Sequence, residues 1–136
     1  KDDVDYDNSV YVIFDQFEKK SAEPIINAIS AKGKNVLKPV FEGEQLSIIN
    51  HHRKCLINCD SVLVIYHNEN PKWVLSKVND MRKSPGFGRV KPFKSKAIYV
   101  NQQDAEIEKN KSNIDIIIGK GNFEIEELDQ FLSIVN

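Results

Sequence analysis

The densest group of chemistry-bearing side chains in this 136-residue chain is Tyr66-His67-Asn68-Glu69-Asn70-Pro71-Lys72-Trp73. A carboxylate beside an aromatic wall suits a site that cleaves a glycosidic bond, because the transition state develops oxocarbenium charge. The plainer reading makes Glu69 a solvated loop residue and packs Trp73 against the body of the protein. His51, Cys55 and Cys59 recur at every fourth position. Along a helix they would span about 12 Å, too far for one tetrahedral metal, so the cysteines read as small core residues and no metal site is expected. His52 lies on the same stripe, either as a satisfied structural histidine or as a ligand contact. Gly119-Lys120-Gly121-Asn122 lacks both the third glycine and the Lys-Ser/Thr pair of a phosphate-cradling loop, and is expected to be a turn. Pro85-Gly86-Phe87-Gly88 fails for the same reasons and reads as a flexible connector.

Positioning these groups requires a scaffold, and the apolar pattern predicts one. Ser9-Val10-Tyr11-Val12-Ile13-Phe14 is a continuous apolar run ending at Asp15, as a strand covered on both faces would be. Ser21 is placed to cap a helix with Pro24 in its first turn and Gly33 at its stop. Asn35 to Phe41 reads as a second strand, put at a sheet edge by Pro39, which cannot donate to a ladder. A helix over Glu44 to Asn58 is expected to bury Leu46, Ile48, Ile49, Cys55 and Leu56. Ser61 to Tyr66 is the strongest strand and should be central. A helix from Pro71 or Lys72 to Lys83, a loop over Ser84 to Gly88 and a strand over Lys96 to Val100 follow. The polar stretch from Asn101 to Asn113 has room for one short helix, and Ile114 to Ile118 is a fifth strand. A last helix carries Glu124, Glu126 and Glu127 in its first turn, with Leu128, Phe131, Leu132 and Val135 apolar.

Strands alternating with helices imply a parallel sheet wrapped on both faces: an α/β, flavodoxin-like three-layer sandwich in which five strands run in the order 2-1-3-4-5. In that order ligands sit at the carboxyl ends of the first and third strands. Attention falls on Asp15 to Lys20 and on His67 to Trp73. A phosphoacceptor site on this scaffold would need an aspartate ending the third strand; Ile65-Tyr66-His67 has none.

Nineteen Lys+Arg against twenty Asp+Glu give a formal charge of −1, and only Arg53, Arg82 and Arg89 are arginines. Such a chain lacks the electrostatic footprint of a nucleic-acid binder, and no apolar run approaches the roughly 20 residues that span a bilayer. With Lys1 first and Met81 the only methionine, the sequence is expected to be a module cut from a longer protein. Residues 1–8 read as an acidic leader and 9–136 as one domain, in a reducing cytoplasm.

The order of elements, Cys59-Asp60-Ser61-Val62-Leu63-Val64-Ile65-Tyr66, Phe41-Glu42-Gly43-Glu44, the second-helix histidine, and Trp73 with Lys77 and Met81-Arg82-Lys83 resemble Toll/interleukin-1 receptor (TIR) domains. The similarity is to bacterial TIR-like modules of larger defence or signalling proteins, over nearly the whole chain from Ser9. The resemblance implies a flavodoxin-like fold and a signalling module that associates with itself or with similar domains in antiviral, innate-immune assemblies. Some TIR domains hydrolyse NAD, using a glutamate four residues beyond a tryptophan. Here Trp73 matches and the glutamate position is Lys77, so Glu69 becomes the one nearby candidate for a catalytic carboxylate. A nucleotide such as NAD, as substrate or as bound ligand, would meet Phe14, Asp15, Gln16, Glu42, His52, Tyr66, Asn68, Trp73 and Lys77.

Overall fold

The computed structural model describes residues 5–66, 71–100, 114–119 and 123–135. The order of elements is β1 (Ser9–Ile13), α1 (Lys19–Ala31), β2 (Asn35–Leu37), α2 (Gln45–Asn58), β3 (Ser61–Tyr66), α3 (Pro71–Phe87), β4 (Ser95–Val100), β5 (Asp115–Ile118) and α4 (Asp129–Val135), with 3₁₀ turns at Gln16–Glu18 and Ile125–Leu128. All neighbouring strands pair in parallel in the order β2-β1-β3-β4-β5, the α/β flavodoxin-like arrangement. Pairing of β1 with both β2 and β3 makes the gap beyond its carboxyl end the place where chain direction reverses across the sheet.

Two cores follow from the alternation of side chains along each strand. Tyr11 and Ile13, Val62, Val64 and Tyr66, and Ile98 and Val100 face α2 and α3, where they meet Cys55, Leu56, Val74, Val78 and Met81. Val10, Val12 and Phe14, Leu63 and Ile65, and Ala97 and Tyr99 face α1 and α4, against Ala22, Ile25, Ile29, Leu128, Phe131 and Leu132. Because both faces are covered, β1 and β3 are buried at every position, which is why they read as unbroken apolar runs.

Several local expectations are corrected. The cap before the first helix is Asp15, whose carboxylate accepts from the Phe17 N–H (3.0 Å) at the head of the 3₁₀ turn. α1 therefore starts at Lys19, Ser21 lies in its first turn bonded to Glu18 (3.3 Å), and Pro24 stands inside the helix. β2 ends at Leu37, so Pro39 falls beyond the edge strand. Leu46 (67 % exposed) and Ile49 (38 %) do not belong to the buried face of α2, which is made by Cys55 and Leu56. No layer covers the first turns of α2 on that side.

α3 runs through the expected loop to Phe87. Pro85 cannot donate to the Met81 carbonyl, and the Ser84 hydroxyl does so instead (2.7 Å). The end is a Schellman cap: Gly88 adopts φ +121°, its N–H bonds to Pro85 O (3.1 Å) and the Arg89 N–H to Ser84 O (3.0 Å). Glu124 caps, and Glu126 and Glu127 lie within, a 3₁₀ turn that leads into α4, so they are not in the first turn of the helix itself. The expected helix within Asn101 to Asn113, the Lys120 to Asn122 turn and the side chain of Val135 lie outside the described residues.

Candidate functional site

β1 leaves the sheet at Ile13 and delivers Phe14, Asp15 and Gln16 to its carboxyl end. The chain after β2 brings Pro39, Val40 and Phe41 over the same end, while α2 and α3 contribute Ile48, His52, Trp73 and Lys77. Together with Tyr11 and Ile13 these residues line a cavity of about 300 Å³. Of the residues expected from sequence, Phe14, Asp15, Gln16, His52, Trp73 and Lys77 converge here. Tyr66 does not; its side chain is buried in the core beneath α2 and α3. Glu42 lines an adjoining cavity of about 580 Å³ beside Lys19, Lys20 and Lys38, separated from the first by Phe14 and Phe41. Glu69 and Asn68 lie outside the described residues.

The walls are aromatic and the charge is cationic. Phe14 and Phe41 meet edge to face at 5.6 Å, and the Lys19 ammonium stands 5.5 Å from the Phe41 ring centroid. Trp73 and Lys77 are one helical turn apart, so they share a face of α3, with the ammonium 5.7 Å from the indole centroid. Among the described residues Asp15 is the one carboxylate that lines the cavity, and one of its oxygens already caps the 3₁₀ turn.

Behind this wall runs a chain of three hydrogen-bonded groups. The Tyr11 hydroxyl lies 2.8 Å from His52 Nδ1, and His52 Nε2 lies 2.9 Å from Asp80 Oδ2. Burial pushes the Tyr11 phenol far above its usual range, with nearby Cys55, Cys59 and Asp80 adding to the effect, so it stays protonated. Burial also pushes the Asp80 carboxyl up, but the His52 hydrogen bond and charge, with Lys77 and Lys83, outweigh it and hold the group below its ordinary range. An ionised Asp80 accepts only, so Nε2 carries a proton and donates. Nδ1 then accepts from the Tyr11 hydroxyl when the ring is neutral and donates to its oxygen when the ring is charged, so both ring nitrogens are used in either state. His52 is thereby held in one tautomer and orientation while its ring faces the cavity. His52 is thus structurally satisfied, and it also lines the cavity.

Tyr11 and Asp80 were not among the expected site residues. A hydroxyl in the middle of the apolar β1 run needs a buried partner, which was the available signal for Tyr11. Asp80 is the only acid in α3 and follows Lys77 by three positions. His51 donates to the Lys38 carbonyl (2.7 Å) and so ties α2 to the segment that carries Pro39 to Phe41. Cys55 and Cys59 are buried core residues that form no disulfide, and no group of metal-ligating side chains forms among the described residues.

Comparison with protein-family models, curated proteins and solved structures returns no match for this chain. Among the described residues no helix is long and apolar enough to cross a membrane. An aromatic slot with an ammonium at its wall and a fixed imidazole behind it suits a planar ring joined to an anionic group.

Proposed function

We propose that this chain is a TIR-like, cytoplasmic signalling module whose switch-point cavity binds a nucleotide-type ligand of the NAD and ADP-ribose class without cleaving it. It would transmit the bound state through contacts with further copies or partner domains of a bacterial immune-type protein. The observation that carries this reading is Lys77 beside Trp73 in the cavity wall. The resemblance places the carboxylate of an NAD-cleaving site there. An ammonium opposes the positive charge of an oxocarbenium-like transition state, yet it favours the phosphates of a bound nucleotide. Aromatic walls for the ring and a cation for the phosphate are what recognition, as distinct from cleavage, needs.

Calorimetric titration of the whole chain with NAD, ADP-ribose and nicotinamide, with free nicotinamide followed in parallel, tests the proposal. NAD and ADP-ribose are expected to bind and nicotinamide alone to bind far more weakly. Trp73→Ala and Lys77→Ala should each weaken binding roughly tenfold or more, the loss of a stacking or charge-assisted contact. Absence of binding at millimolar nucleotide would sink it. So would nicotinamide release that disappears in Glu69→Gln.

A further inference from the structure

The near-zero net charge conceals a separation of charge across the sheet. On one face, α2 and α3 carry Arg53, Lys54, Lys72, Lys77, Arg82 and Lys83 against one carboxylate, Asp80, and that carboxylate is engaged by His52. Between these helices lies a groove of about 350 Å³ lined by apolar Ile48, Ile49 and Phe87, by the cations Arg53, Lys77 and Lys83, and by the paired His52 and Asp80. Arg53 is already extended over the Phe87 ring, 4.7 Å from its centroid. On the opposite face, Ile125 to Val135 carries Glu126, Glu127 and Asp129 and no cation, with exposed Glu124 just before it. The turn at Ile125–Leu128 touches α1, which adds Glu18 at its head and exposed Glu23. Of the cations on α1 and its caps, Lys19 and Lys20 line the larger cavity beside Pro39 to Glu42, and exposed Lys32 stands at the far end of the helix.

We infer that the α2–α3 groove is a docking site for the acid-rich α4 side of a second copy of this chain. This rests on the reading of the chain as an associating module and names the surfaces that meet. Charge complementarity selects the occupant: the molecule carries both halves of the match. At a net charge of −1, two copies feel little long-range repulsion as they approach. Because the halves lie on opposite sides of the sheet, one contact cannot satisfy both. Each bound copy leaves a free groove at one end and a free acidic side at the other. The contact is therefore head to tail, and repetition gives an open chain or a ring rather than a closed two-fold dimer. The groove shares Ile48, His52 and Lys77 with the nucleotide cavity, whereas Arg53 and Lys83 line the groove alone, so substitutions at these two are directed at assembly.

Sedimentation velocity on the whole chain over a concentration series, at about 50 mM and about 500 mM salt, tests this. The wild type is expected to grow beyond a dimer at low salt and to lose at least about tenfold in affinity at high salt. Arg53→Glu with Lys83→Glu, and separately Glu126→Lys with Asp129→Lys, should each give a folded monomer by circular dichroism. Their equimolar mixture should assemble again, because each variant now presents the complement of the other. Assembly of the wild type that neither pair of substitutions reduces would overturn the surface assignment and leave association standing. Folded variants whose mixture stays monomeric would overturn it too. A wild type that is monomeric at every concentration would remove both association and the assignment, while nucleotide binding would be judged by its own titration.

Discussion

Replacing Arg89 is expected to cost more stability than replacing any other charged side chain in the described structure. Its guanidinium is buried to 7 % exposure in the segment that follows α3. Nη1 donates to the carbonyls of Leu56 (2.9 Å), Ile57 (3.2 Å) and Cys59 (2.6 Å), which are end-of-helix acceptors of α2. Nε reaches Lys91 O (2.7 Å), Nη2 reaches Pro92 O (3.3 Å), and the plane stacks 3.8 Å from the Phe93 centroid. One side chain thus closes α2, folds its own segment and sits beneath β3. Counting about 1 kcal/mol for each helix-end carbonyl left short of a partner and about 1 kcal/mol for the lost stacking, Arg89→Ala should destabilise by about 4 kcal/mol. Arg89→Lys keeps the charge but not the planar fork, so it should recover less than half of that. With a urea slope near 2 kcal/mol/M, the alanine variant would unfold at about 2 M less urea than the wild type. His52 lies on the same helix but more than a turn before the capped end, so nucleotide affinity of the folded variant should not change. An alanine variant within about 1 kcal/mol of wild type, or a lysine variant equal to wild type, would refute the view that the fork is what holds the end of α2.

Asp80 makes a pH prediction with a definite sign. Its folded pKa lies below the ordinary 3.8, so the stability it contributes is fully present above that value and is lost as pH falls through the lower folded pKa. Asp80→Asn should lower stability at neutral pH by about 1 kcal/mol, the scale of a half-exposed charge-assisted pair, and should flatten the acid limb of the stability profile measured by urea titration below about pH 4. An unchanged acid limb would show that the His52 contact is not formed. Gly119→Ala should lower the melting temperature by several degrees, because its Cβ would run into the hydroxyl and ring of Tyr99. That ring cannot swing away: its hydroxyl donates to Glu127 (2.6 Å) and its edge meets Phe123 at 5.8 Å. A melting temperature equal to wild type would show that the ring is free to move.

The sheet was legible because burial on both faces leaves a one-dimensional trace: β1 and β3 are apolar at successive positions; β2 is the edge strand as expected, though Pro39, the residue that suggested it, lies beyond its end. The strand order then located the cavity, and one-turn spacing placed Trp73 and Lys77 on one side of α3. What escaped the sequence were compensations. The Ser84-Pro85-Gly86 run reads as a helix breaker until the Ser84 hydroxyl is seen to replace the bond that Pro85 cannot make. α2 looked amphipathic over its whole length, yet Leu46 and Ile49 face outward because no neighbouring layer reaches them. The Tyr11–His52–Asp80 chain joins residues 41 and 28 positions apart. Such pairings depend on which helix lands on which strand, and local periodicity carries no record of that.

On the proposed function, the sign of one charge would decide between holding a nucleotide and cleaving it. A unit charge about 5 Å from a developing oxocarbenium centre, at an effective dielectric near 20, contributes about 3 kcal/mol. A carboxylate at position 77 would stabilise that centre by this amount, and the ammonium present destabilises it by the same. The swing of about 6 kcal/mol corresponds to roughly four powers of ten in rate. Asp80 does not restore the balance, since its carboxylate is turned to His52 and the two lysines that hold it ionised. Asp15 spends one oxygen on the Phe17 N–H. The same ammonium gains a comparable amount from a phosphate at that distance, in the ground state, before any bond is broken. On the proposed function, the described residues of the cavity would favour binding over cleavage, and binding that leaves the ligand intact would let one occupied module report a nucleotide level without depleting it.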